Sequence, residues 1–227
     1  VKESIPILLK RVNLEFNNLE EKLTTSIKED QSISWDTIMT PLYKISKKLR
    51  WSWGVVCHLN AVRNTNELRE IHSKYQPEII RFTNRVGQSS ILYKSIKMLQ
   101  ENQVESLDST QKRILQAEVL SMKQKGVGLE GEDQNRFNIN SERLAELSTI
   151  FSNNVLDATK EWTLLLSEPK QVKGLPKRTL EVLSTAAKEA GDINHERMES
   201  PSAEEGPWRI SLDLPNYIAF LTYAEDR

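Results

Sequence analysis

A single cysteine, Cys57, stands in 227 residues, which excludes an intrachain disulfide framework and points to a reducing compartment. Glycine and proline are scarce, eight of each, which argues against an all-β chain rich in tight turns. No excess of charge of one sign exists: 31 Lys and Arg against 32 Asp and Glu leave a net charge of −1. That removes any global electrostatic case for binding nucleic acid or an anionic membrane. No stretch approaches the ~20 consecutive apolar residues of a membrane span. The opening residues, with Glu3 close behind Val1, are unlike a signal or transit peptide. The sequence also lacks HExxH, a P-loop, GxGxxG and a CxxC pair.

The chain does hold amphipathic periodicity. Apolar content is 38% and charged content 28%, with a mean hydropathy of −0.52, as suits helices with one heavily solvated face. A chain of this length buries roughly 70% of its unfolded surface and needs no covalent staples. Leu8, Leu9, Val12, Phe16, Leu19, Leu23 and Ile27 predict a first helix, ended by Glu29-Asp30-Gln31. Ser34 can cap a second with the stripe Trp35, Ile38, Leu42, Ile45, Leu49, Trp53, Val56 and Leu59, bent or broken early by Pro41. Thr65 caps a third, carrying Leu68, Ile71 and Tyr75, which is interrupted at Pro77 and resumes through Ile80 and Val86. Ile91, Leu92, Ile96 and Leu99 mark a fourth. Asp108 with Gln111 is a capping-box variant opening a fifth, with Ile114, Leu115, Val119 and Met122, stopped by Gly126.

A sixth helix spans Phe137 to Thr159, with Phe137, Leu144, Leu147, Phe151, Val155 and Ala158 on one face. That face predicts burial of Leu147 and Phe151, with Glu142 and Lys160 in water. Then the period changes. Trp162 to Leu166 and the alternating Trp208, Ile210 and Leu212 read as two short strands pairing across a helix of about Lys177 to Ala190. Gly191 to Gly206 reads as a loop, and Pro215 opens a last helix with Tyr217, Ile218, Leu221 and Tyr223. The expected fold is all-α, a single multi-helix domain over residues 1–227 with a small two-stranded antiparallel β element near the C-terminal end.

Several segments carry more than periodicity. Trp53-Gly54, His58-Leu59-Asn60, Val62, Asn64 and Glu67-Leu68-Arg69-Glu70 form one group. Val86-Gly87-Gln88 with Leu92-Tyr93, Asn153 to Thr159 (NNVLDAT) and Gly174-Leu175-Pro176 follow. The last group is Gly206-Pro207-Trp208 with Leu212-Asp213 and Pro215-Asn216-Tyr217. In this order they resemble the N-terminal region of the thimet oligopeptidase and oligopeptidase A family of zinc metallopeptidases, most like its plant members, and the likeness covers nearly the whole chain. The resemblance implies a helical fold forming one wall of a deep channel. It places the zinc and its HExxH helix in a half of the protein that has no counterpart here. No catalytic, cofactor-binding or metal-binding residue of the family maps onto this sequence.

Other candidate chemistry is weak. His195-Glu196-Arg197-Met198-Glu199 reads HExxE, but it sits in a polar segment between Gly191 and Pro201 with no apolar face to hold a helix. His58 and His72 would lie about 21 Å apart on one continuous helix, and Asn64-Thr65 breaks that helix, so a joint metal site needs a fold-back. Adjacent Cys57 and His58 point ~100° apart on a helix, which reads as packing. Ser89 and Ser90 have no base at sensible spacing. Trp35 and Trp53 fall on the second helix's stripe and read as core, and the basic runs Lys47 to Arg50 and Lys94 to Lys97 read as solvated faces.

The expectation is therefore a non-catalytic, N-terminal-domain-like relative of thimet-type oligopeptidases, a peptide- or protein-binding module that cleaves nothing alone. The alternative is an N-terminal fragment of an active zinc metalloendopeptidase that cleaves short peptides. Expected partners are peptides, a full-length oligopeptidase or a second copy of the chain, with no nucleic acid and no membrane. No cofactor is expected, zinc belonging to the full-length family. The expected compartment is the cytoplasm, with the chloroplast or mitochondrion, after presequence removal, as the alternative. The last helix, with Tyr217, Ile218, Phe220 and Leu221, is expected to offer apolar side chains without an internal partner.

Overall fold

The computed structural model describes residues 3–102, 105–193 and 200–226. Contacts gather the chain into two compact units, residues 1–148 and 149–227.

The first unit is helical. It holds α1 (Ser4–Lys28), α2 (Trp35–Val62), α3 (Asn66–Gly87), α4 (Ser90–Asn102), α5 (Ser109–Gln124) and the first part of α6 (Gly131–Glu161). The expected stripes supply its core: Leu9, Val12, Phe16, Leu19 and Leu23 from α1 meet Ile38, Leu42, Ile45 and Leu49 from α2 and Leu92, Ile96 and Leu99 from α4. Phe16 and Phe82 pack edge to face at 6.2 Å between ring centroids, a favoured aromatic geometry. Trp35 and Trp53 pack half-buried against this core.

Local chemistry sets the helix starts. The Ser34 hydroxyl accepts from the Thr37 N–H at 3.3 Å, and Thr37 returns the contact by accepting from the Ser34 N–H at 2.9 Å. Asp108 and Gln111 exchange the same pair of bonds at 2.7 and 3.0 Å. Asp30, at φ 50°, closes α1, and Gly126, at φ 79°, follows α5.

Two expectations need correction. Helix α2 is not broken at Pro41, and α3 runs through Pro77 without interruption. A proline inside a helix costs about 3 kcal/mol. Burial on both sides offsets it, with Ile38, Leu42 and Ile45 around Pro41 and Tyr75, Ile79 and Phe82 around Pro77.

The larger correction concerns α6. It extends from Gly131 to Glu161 and buries no residue. Leu147 and Phe151 are 44% and 70% exposed, against the expected burial, and Leu144 and Val155 are exposed with them. Periodicity establishes that a helix has an apolar face, but not that anything in the same chain covers it. Glu142, expected in water, is half-buried instead and bonded to Arg81.

The second unit is built around one small sheet. Strands β1 (Thr163–Leu166) and β2 (Trp208–Ser211) pair antiparallel, with Thr163 opposite Ser211 and Leu166 opposite Trp208. Between them in sequence lies α7 (Lys177–Glu189), whose apolar face packs on β2 through Leu183. Helix α8 (Leu214–Tyr223) follows, with the Asp213 carboxylate accepting from the Asn216 N–H at 3.1 Å. Trp208 is fully buried among Leu166, Val172, Leu175, Leu183 and Ile210. Two glycines are required by geometry. At Gly174 (φ 91°) a Cβ would strike the Tyr223 carbonyl, and at Gly206 (φ 68°) it would strike the Trp208 ring.

Candidate functional site

Three places gather groups of chemical interest, the first of them the hairpin of α2 and α3. Asn64, at φ 48°, turns the chain so that α3 returns along α2. Folding about Asn64 and Thr65 sets residues equally distant on either side against one another. Cys57 thus meets His72, with Sγ 3.7 Å from Nε2, and Trp53 stacks on the His72 ring at 4.9 Å. The fold-back needed to bring distant residues together exists, but it pairs His72 with Cys57. His58 lies exposed on the other face of α2.

Electrostatics argues against nucleophilic use of this pair. Burial pushes the Cys57 thiol up and the His72 imidazole down from their ordinary values. Each shift favours the neutral form, whereas a reactive pair needs thiolate beside imidazolium. His72 Nδ1 and Asn60 Oδ1 are buried without hydrogen-bond partners.

The second place is a polar recess of about 580 Å³ between α1, α3, α4 and the first part of α6. Arg81 grips Glu142 through two bonds of 2.9 and 2.8 Å, a bidentate pair that raises the arginine's affinity for its proton. Arg85 donates to Asn13 at 3.0 Å, to Glu20 at 2.8 Å and to Asn17, with its guanidinium over the Phe16 ring. Gln88 donates to the Lys125 carbonyl and to Asn138, each at 2.9 Å. Ser89 donates to Glu20 at 2.7 Å, so this hydroxyl is held by a carboxylate that also pairs Arg85. Charges here are spent on one another. The recess ties α6 to α3, and among the described residues both arginines that line it are paired.

The third place is the set of uncovered apolar faces. On α6 these are Leu144, Leu147, Phe151 and Val155. On α8, Tyr217, Ile218 and Leu221 are about half exposed, while Phe220 packs against the smaller core. Among the described residues no group of three or more His, Cys, Asp or Glu side chains is placed to hold a metal ion, so a zinc site has no donor set in them. The HExxE segment at His195 falls outside the described residues. No described helix is long and apolar enough to cross a membrane.

Comparison with known proteins gives the same outline as the motifs. Residues 5–134 match the family model for the N-terminal domain of neurolysin and thimet oligopeptidase. The whole chain aligns with the "Probable cytosolic oligopeptidase A" of Arabidopsis thaliana at 34% identity, covering 30% of that protein. It aligns equally with that plant's "Organellar oligopeptidase A, chloroplastic/mitochondrial", at 34% identity over 100% of this chain and 27% of the relative. Oligopeptidase A of Escherichia coli (strain K12) is 29% identical over 95% of the chain and 30% of its own length. The chain thus spans under a third of the length of these relatives.

Proposed function

Because the chain belongs to the neurolysin/thimet oligopeptidase family and carries its N-terminal domain, we propose that it is the non-catalytic helical part of an oligopeptidase. In this reading it offers apolar faces to a peptide or to other parts of a peptidase, and cleaves nothing by itself.

One observation carries the reading: α6 runs 31 residues without burying a side chain, yet sets Leu144, Leu147, Phe151 and Val155 in a row at helical spacing. A contiguous apolar face in water marks an interaction site or an aggregation liability. Peptide or protein chain is the cover that suits it. Hydrolysis is assigned to no described residue, since the one thiol–imidazole pair is held in its neutral form. Zinc is not expected to be retained by this chain. A cytoplasmic setting is part of the proposal, in line with the single thiol.

The test pairs sedimentation at several concentrations with a fluorogenic quenched-peptide assay. The expected result is association with itself, with peptide or with an oligopeptidase, weakened by Phe151→Ser, and no cleavage with or without added zinc. Turnover that co-purifies with the chain and is abolished by chelator overturns the non-catalytic reading. A strictly monomeric chain, inert to peptide and to oligopeptidase, overturns the interaction reading.

A further inference from the structure

Beyond its first turn, α2 is basic and carries no acidic residue. Between Asp36 and Glu67 the sequence holds five Lys or Arg and no acidic residue, although the chain as a whole is nearly neutral. Lys44, the adjacent pair Lys47 and Lys48, Trp51, Val55, His58 and Val62 recur at intervals of three or four residues apart from that pair, and all are exposed. They form one line along the helix, basic in its first half and apolar in its second. Among the described residues no carboxylate pairs with Lys44, Lys47, Lys48, Arg50 or Arg63. This contrasts with Arg81 and Arg85, whose charges are met by Glu142 and Glu20.

The apolar half is shaped as well as exposed. Trp51 is 65% and Val55 52% exposed, and together with Arg50, Gly54, His58 and Leu59 they line an open groove of about 420 Å³. Gly54 is its most telling member. A glycine inside a helix costs roughly 1 kcal/mol relative to alanine. Nothing within the fold asks for it, since a Cβ at Gly54 would meet no atom within 4 Å. A glycine that internal packing does not require, in an exposed groove beside a tryptophan, suits close approach from outside.

We propose that this face docks an acidic peptide segment, its carboxylates over Lys44, Lys47 and Lys48 and an apolar side chain in the groove at Gly54 between Trp51 and Val55. Charge complementarity selects an acidic occupant, since a basic peptide would be repelled. The site is separate from the exposed row on α6, so it stands or falls apart from the function proposed above.

Fluorescence anisotropy tests it with two labelled peptides of equal length, one of glutamate and leucine, the other with lysine in place of each glutamate. The expected result is binding of the first alone, weakening as salt is raised. Gly54→Leu fills the groove in open space and should hold or raise the melting temperature, while weakening the acidic peptide about tenfold. The double substitution Lys47→Glu with Lys48→Glu should weaken it at least as much, and Phe151→Ser should leave it unchanged. Equal binding of both peptides, or unaltered affinity in well-folded Gly54→Leu, overturns the proposal. So does binding to phosphatidylserine vesicles with none to the acidic peptide, which would make this face a membrane contact.

Discussion

Among the described residues the first unit buries 22 apolar side chains in one continuous cluster, whereas the second gathers seven, around Trp208. The larger cluster draws on five helices and survives two internal prolines. The smaller one relies on a single large side chain, two glycines that admit no Cβ, and an ion pair. Arg209 donates twice to Asp192, at 2.7 and 2.6 Å, and once more to Thr163 on the opposite strand at 2.8 Å. A small core has few ways to relax around a loss, so its polar fastenings count for more.

Core truncation is the strongest way to break this contrast. Phe16→Ala and Trp208→Ala should each cost roughly 3–5 kcal/mol. The Trp208 change should erase hydrogen-exchange protection across β1 and β2, because no other described residue buried in that unit is of similar size. Chemical denaturation followed by residue-resolved exchange would read both. Retained protection in the strands of Trp208→Ala would mean that the smaller cluster is less dependent on its tryptophan than its packing implies.

Next in size is Arg209→Ala, which strands a mostly buried carboxylate. The cost should be about 2 kcal/mol, between the values for exposed and fully buried pairs. The two units should also respond differently to acid. Arg209 holds Asp192 below its ordinary value by hydrogen bonding. Its contribution is therefore present above the unfolded value of about 3.9 and lost as pH falls through the lower folded value. Burial lowers His72 in the same direction. Below about 6.5 the unfolded chain takes up a proton that the folded one refuses, so stability falls with pH in that window. Exchange protection in α3 should thus weaken at milder acidity than protection in β2, and His72→Gln should flatten the milder step.

A smaller effect is expected at the caps: Asp108→Ala should cost about 1 kcal/mol, read from thermal melts. Smallest of all is Phe151→Ala, which should change stability by less than about 0.5 kcal/mol, since a side chain 70% exposed has little burial to lose. A large loss there would show that α6 is covered in solution.

The sequence carried most of the internal architecture in readable form. Leu9, Val12, Phe16, Leu19 and Leu23 lie where a 3.6-residue period puts them, and Asp108 and Gln111 bond as their spacing implied. The strands at Thr163 and Trp208 pair across the expected helix. The surroundings of these elements are not legible in the same way. Pro41 and Pro77 are local costs outweighed by tertiary burial, which no local rule contains. The exposure of Phe151 is not legible, because apolar spacing does not name the cover. The Cys57–His72 contact joins residues 15 apart in sequence, which spacing within one helix does not reveal. Asn64-Thr65 reads as a break, and reflecting residue 57 across it gives residue 72. The residue types on α2's outer face were legible too, as a basic run beside Trp51, but their outward alignment required the helix phase.

The pairing of Leu166 with Trp208 has a kinetic side. Bringing these strands together closes a loop of roughly 40 residues, at an entropic cost of about 3 kcal/mol. Four-residue strands supply few ladder bonds to offset it, whereas α7 forms from contacts along its own length. The hairpin-like sheet should therefore assemble on a helix already in place, late on the path to the native state. Conservative substitutions at Ile210 would then quicken unfolding and leave the folding rate nearly untouched, while changes at Leu183 would slow folding itself.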